Sequence, residues 1–257
     1  MNRIGLAAAL SVAVVVGAVF GVYPQLDLDF SALFFDPKTH TWIADGKTWV
    51  AHARDAGRLV ITVIAAPAGL AAVWKLVMPR SRMLVPGRAA LFLLASLALG
   101  PGILANTILK DHWGRYRPLY LAQFGGRDQP FTAWWDTRGP CVGNCSFIAG
   151  EPAGAFWTLA PAALAPPQWR ALAYGAALAF GTAIGLVRIA GGGHFLTDVV
   201  FAGVLMFLLI FLLHGLIYRW RPSDEAVERS LAWPGETLLA AFAALARRFG
   251  WGAHKRP

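Results

Sequence analysis

The chain has 257 residues, of which 57% are hydrophobic and only 14% charged, and its mean hydropathy is +0.52. A soluble domain of this length needs far more polar surface, so the composition is that of a membrane protein. The net charge of +9 does not point to nucleic acid, because the basic residues sit between apolar stretches and form no continuous stripe; anionic lipid is the fitting partner.

Stretches near the length of about 20 apolar residues that crosses a bilayer predict six transmembrane helices, and hence an all-α, polytopic membrane bundle. The first covers residues 4–23 and is read as an uncleaved helix rather than a signal peptide, because the apolar run is long and no small-x-small cleavage site precedes the polar loop. The second and third cover roughly 59–78 and 89–109. The fourth, 147–165, is the weakest, since it contains Glu151, Pro152 and Pro161. The fifth and sixth cover roughly 171–187 and 195–218.

Basic residues in short loops set the expected orientation. Lys75, Arg80, Arg82 and Arg88 bracket the turn between the second and third spans, and Arg170 marks the turn after the fourth. Arg3, Arg219 and Arg221 mark the two ends. These loops and both termini are therefore expected in the cytoplasm, and the acidic loop 24–57, the long loop 110–146 and the turn 188–194 are expected outside. That outward loop nevertheless carries Lys110, Arg115, Arg117, Arg127 and Arg138, against the positive-inside tendency. A phosphate-binding site explains outward cations, because Arg offers a planar fork of donors and Lys a compact charge; lipid headgroup anchoring is the bland alternative.

A second basic cluster stands before the last span, in Arg188-Ile-Ala-Gly-Gly-Gly-His194-Phe-Leu-Thr-Asp198. The glycines allow a tight turn and leave backbone N–H groups open to an anion. With the helix expected to begin near His194, Asp198 lies four residues on and shares its face, so the carboxylate is expected to reach one ring nitrogen and leave the other free to attack phosphorus.

These segments resemble the type 2 phosphatidic acid phosphatase family of integral-membrane lipid phosphatases. The first motif of that family, K-x6-R-P, is matched by Lys110 through Arg117-Pro118. The third, S-R-x5-H-x3-D, is matched by Arg188, His194 and Asp198, with Val187 in place of the serine. The second, P-S-G-H, is matched only at Gly150, with Glu151 where the general-acid histidine stands; the form running from Ser146 to Glu151 is similar to that of lipid A phosphatase-like members. The resemblance covers about 90–215 and implies a six-helix core. It further implies that Lys110, Arg117 and Arg188, with Gly150, hold the phosphate, that His194 forms a phosphohistidine later hydrolysed by water, and that Asp198 stabilises the imidazolium; Arg115, within the first motif, is read as a further phosphate ligand. Glu151 is expected either to replace the acid histidine, if it keeps a protonated fraction, or to orient an arginine or water.

No metal or other cofactor is expected, because the histidines show no clustered ligand spacing. The implied substrates are phospholipid or glycolipid phosphates of the outer face of a bacterial inner membrane: lipid A phosphates, undecaprenyl diphosphate, phosphatidylglycerophosphate or phosphatidic acid. Transfer of the phosphoryl group to another lipid, or an inactive lipid-binding relative, are the alternatives. The membrane-embedded unit is expected to span 1–221. The tail 222–257 is read as an amphipathic helix on the cytoplasmic surface or as disordered. Cys141 and Cys145, both in the outward loop, form either a local disulfide or two free thiols.

Overall fold

The computed structural model describes residues 3–219 and 222–248. Arg221, His254, Phe249 and Trp251, on which parts of the sequence reading fall, lie outside them. The fold is almost entirely helical. In chain order it contains α1 (Arg3–Val22), α2 (Gln25–Ala32), a two-stranded hairpin of β1 (Phe35–Asp36) and β2 (Thr41–Trp42), α3 (Thr48–Val77), α4 (Gly87–His112), α5 (Gly150–Phe156), α6 (Leu159–Leu164), α7 (Pro167–Ala190), α8 (Leu196–Arg219) and α9 (Asp224–Arg248).

Among the described residues five helices are long and apolar enough to cross a membrane: α1, α3, α4, α7 and α8. The fourth expected span is not one helix but two short ones. Pro161 has no N–H to offer the carbonyl of Trp157, which accepts from Ala160 instead, and the backbone tightens around Trp157 and Thr158. The pair is buried along most of its length, against α7 and α8 above all.

Gly181 and Gly185 on α7 allow this packing. A Cβ on Gly181 would collide with the Phe156 ring, and one on Gly185 with Val199. Connectivity shows what the broken pair does. Arg88, at the start of α4, lies 5.5 Å over the Tyr218 ring near the end of α8, so these two ends share one side of the bundle. Lys110, Glu151 and Arg188 gather at the opposite side. The α5–α6 pair therefore carries the chain from one side to the other, and α7 brings it back.

The second helix begins well before the expected residue 59, at Thr48, so its first turns extend beyond the apolar run and carry Arg54 and Arg58. At about 1.5 Å per residue its 30 residues span about 45 Å, more than the hydrocarbon thickness. α4 is widened into a π-type stretch over Ala98–Leu109, around Pro101.

The loop 113–146 folds back onto the helices. Trp134 stacks on Phe201 at 4.4 Å and approaches Gly17 of α1, while the Trp113 Nε1–H donates to the Trp134 carbonyl at 2.6 Å. The tail forms helix α9, packed on α3 and α4. Its first turn is fixed by the Arg88–Asp224 pair at 3.0 Å and by Lys75 near Glu228 at 3.6 Å. Trp233, Leu238, Leu239, Phe242 and Leu245 remain exposed along it.

Candidate active site

Lys110 ends the widened part of α4. Its Nζ donates to Asn106 Oδ1 at 3.4 Å, and Asn106 is itself held by donating from Nδ2 to the Pro101 carbonyl at 2.7 Å. Gly150 faces this pair. A Cβ there would collide with Asn106 Oδ1 and come within 3.2 Å of Lys110 Nζ, so the missing side chain makes the space in which the ammonium sits.

His194 precedes α8, which starts at Leu196 rather than at His194 itself. The ring is buried, and its Nδ1 lies 2.8 Å from the Ser146 carbonyl oxygen. A carbonyl only accepts, so Nδ1 carries the proton and Nε2 carries the lone pair. The expectation that Asp198 takes this proton is corrected here: its carboxylate stands 3.8 Å from Nδ1, outside hydrogen-bond reach. Asp198 instead accepts from Ser146 Oγ at 2.5 Å, the Phe195 N–H at 2.8 Å and Arg115 Nη1 at 2.6 Å. It thus fixes the residue whose carbonyl fixes the imidazole. Burial pushes the His194 imidazole down from its ordinary 6.5 to about 4, against the attraction of Asp198 and with the help of Arg188 and Arg117. The ring is neutral and nucleophilic at neutral pH.

Arg117 donates from Nη2 to the carbonyl and side-chain oxygens of Asn144, at 2.9 and 2.6 Å, while its buried Nε has no hydrogen-bond partner among the described residues. Asn144 and Gly143 both adopt positive φ, and the Cys141–Cys145 disulfide closes the turn around them. The Asn144 N–H is bound by Asp111, and the Cys145 N–H by the Lys110 carbonyl. The loop that carries Arg117's partner is therefore tied to the helix that carries Lys110.

Arg188 lies in the last turn of α7, with a buried Nε that has no hydrogen-bond partner among the described residues and lies 3.4 Å from Glu151 Oε2. Gly193 leaves room for it, since a Cβ there would stand 2.5 Å from Arg188 Nη2. Glu151 is held chiefly by a residue the sequence motifs do not contain. Arg54 of α3 grips both carboxylate oxygens, with Nε at 2.9 and 3.1 Å and Nη2 at 2.6 Å. The side chain is thus placed as an acceptor for Arg54 and a counter-ion to Arg188. The only sequence signal for Arg54 was a charged stretch, His52 to Arg58, abutting an apolar run, which reads equally well as loop.

Arg115 is placed differently from the other cations of its motif. It is fully buried and donates to Asp27 of α2 at 2.7 Å, to Asp198, to Thr197 Oγ1 at 2.8 Å and to the Thr132 carbonyl at 2.9 Å. Asp27 also accepts from the Thr197 N–H and Oγ1–H. With its guanidinium committed inside the protein, Arg115 anchors Asp198 and has no open face toward a phosphate.

The arrangement is a neutral imidazole, tied at one nitrogen, within the field of two arginines and close to a lysine-bearing helix end. In a bundle of apolar helices, that arrangement can do phosphoryl chemistry on a membrane-borne substrate. The PAP2 superfamily model matches residues 89–222. Three curated relatives named "Lipid A 4'-phosphatase" are similar over most of the chain. The protein from Francisella tularensis subsp. novicida is 31% identical over 78% of this chain and 90% of its own length. Those from Rhizobium etli and Rhizobium leguminosarum are each 32% identical over 76% of this chain, and over 79% and 88% of their own lengths. Among solved structures, a transmembrane PAP2-type phosphatidylglycerolphosphate phosphatase from Bacillus subtilis aligns with 84% of this chain and 96% of that one, at a TM-score of 0.49 and 18% identity. The chain belongs to the PAP2 superfamily. It is a multi-pass membrane lipid phosphatase, a phosphoric ester hydrolase.

Proposed function

We propose that the protein removes a phosphate monoester from lipid A or a closely related glycolipid on the outer face of a bacterial inner membrane. The substrate reading is supported by the relatives' names. The outward site is supported by cations at the Lys110–Ser146 end that oppose the charge rule obeyed by the other loops.

One observation carries the mechanism: the Nδ1–H of His194 is tied to the Ser146 carbonyl, which leaves a neutral Nε2 lone pair as nucleophile. Lys110, Arg117 and Arg188 hold the phosphate oxygens, with Gly150 giving space to the lysine. Nε2 attacks phosphorus and the bond to the ester oxygen breaks; that oxygen takes a proton from solvent and leaves as the lipid hydroxyl, and the phosphohistidine that remains has a cationic ring. Asp198, fixed by Arg115 and Ser146, stabilises that charge from 3.8 Å. Water then attacks phosphorus, the P–N bond breaks, and inorganic phosphate leaves.

The exposed apolar residues of α9 lie, in this reading, on the inner surface of the membrane. Phosphate release by the purified protein, measured on lipid A, undecaprenyl diphosphate, phosphatidylglycerophosphate and phosphatidic acid, tests the proposal. Fastest release is expected from lipid A, and equal rates on all four would overturn the assignment. A protein that moves the phosphate to a second lipid without releasing it would be a phosphotransferase.

A further inference from the structure

Two buried or half-buried ion pairs flank the nucleophile, and they differ in one respect. Arg115 with Asp27 is sealed, with side chains 0% and 1% exposed. Arg54 with Glu151 is open, at 34% and 27%. The open pair faces a cavity whose polar side is formed by Arg54, Arg58, Asn106, Lys110 and Glu151 and whose apolar side includes Ile61 and Ile184. Arg54 therefore shares a cavity with a cation of the proposed phosphate cradle, although it stands on α3, outside residues 89–222 that the family model matches. Glu151 lies between Arg54 and Arg188, 2.6 Å from one and 3.4 Å from the other.

A carboxylate and a phosphate monoester present the same oxygen fork to a guanidinium, and the phosphate carries up to about twice the charge. An anion that bridges two guanidiniums at the edge of a cavity occupies the place such a phosphate would take. We propose that Arg54 is a further phosphate-binding residue of the site, and that Glu151 holds it in place until the substrate phosphate takes Arg54 over. This rests on the phosphatase reading above and deepens it: the cradle draws on four cations, and its preferred ligand is a dianionic phosphate monoester. Glu151 is then a positioning residue, acting through Arg54 and Arg188.

The test is competition by inorganic phosphate in the purified full-length protein, read both as inhibition of lipid hydrolysis and as direct binding by calorimetry. Arg54→Ala is expected to weaken phosphate at least tenfold and to raise KM for the lipid by a similar factor. Arg54→Lys, which keeps the charge and loses the fork, is expected to weaken it severalfold, and serves if the alanine variant does not fold. Glu151→Gln is expected to tighten phosphate, because the competing carboxylate is gone; a pair that only supports the fold predicts weakening. Arg138→Ala, on the exposed loop, should leave both readouts unchanged. Unchanged phosphate affinity in Arg54→Ala or Arg54→Lys, or weakened affinity in Glu151→Gln, overturns the proposal. Because calorimetry needs no turnover, loss of the phosphatase reading on every lipid would be seen separately from loss of Arg54's role.

Discussion

The tautomer of His194 is set by a backbone carbonyl, and that has measurable consequences. His194→Ala should abolish turnover in a phosphate-release assay, and unimpaired release would refute the phosphohistidine. The pH profile of kcat/KM should keep its His194-dependent acid limb near 4 rather than 6.5, because burial keeps the ring neutral until then. His194 itself therefore stays neutral as pH falls from 7 to 5, while the substrate monoester takes up its second proton at about 6; a His194 ring that titrates between 5 and 7 when followed by NMR would show a solvated imidazole. Asp198→Asn should cost on the order of a hundredfold in kcat, since it removes the negative charge facing the imidazolium while leaving the phosphate cradle intact. Glu151→Gln, assayed on an alkyl-type lipid phosphate and on a nitrophenyl phosphate, should change both rates equally if Glu151 holds arginines. A kcat loss confined to the alkyl leaving group would make it the proton donor. Arg115→Ala leaves Asp27 and Asp198 buried without their shared counter-ion, and breaking such a pair costs about 3–5 kcal/mol. The variant should lose thermal stability as well as activity, whereas Arg117→Ala should lose phosphate affinity with its melting temperature little changed.

At the level of elements, the disulfide-closed turn is a holder for Arg117. Reduction, or replacement of Cys141 and Cys145 by serine, frees Asn144 from its fixed left-handed conformation and weakens its grip on the guanidinium. KM should rise by about tenfold, the order of one hydrogen bond to a charged group, with kcat nearly unchanged; identical kinetics before and after reduction would detach the turn from the site. The long apolar helices were legible from the sequence because twenty consecutive apolar residues admit few other readings in a bilayer. The broken α5–α6 pair was legible only as a weak span. Its prolines signalled trouble, but the close packing of Phe156 against Gly181 that accompanies the break is a tertiary fact. Gapped motifs placed Lys110, Arg117, Arg188 and His194 in the same region of the fold. They were silent on Asp27, Thr197 and Arg54, whose roles depend on contacts across 82 to 170 residues of chain. Spacing also favoured a direct Asp198–His194 bond, which fails because the helix starts two residues later and Asp198 is occupied by Ser146, Phe195 and Arg115.

For the whole molecule, the parity of crossings decides whether the two ends of the bundle core share a side of the membrane. The N-terminal ends of α5 and α8 and the C-terminal ends of α4 and α7 meet around the site, while the start of α4 and the end of α8 meet at the other side with Arg88 and Tyr218. Five long helices alone would place the two ends of the chain on opposite sides of a membrane. The α5–α6 pair restores an even count, because its roughly fifteen residues, at about 1.5 Å each, carry the chain about 22 Å, most of the way through the hydrocarbon. Both ends of the bundle core should then lie on the side away from the site. A reporter inserted beside Asp128 is expected to be active only where periplasmic reporters are, and one inserted beside Arg82 only where cytoplasmic ones are. The same compartment for both would mean that α3, α4 and their loops do not cross as described. The reverse assignment would leave the fold intact but turn the site toward the inner leaflet, where newly made rather than exported lipid would be its substrate.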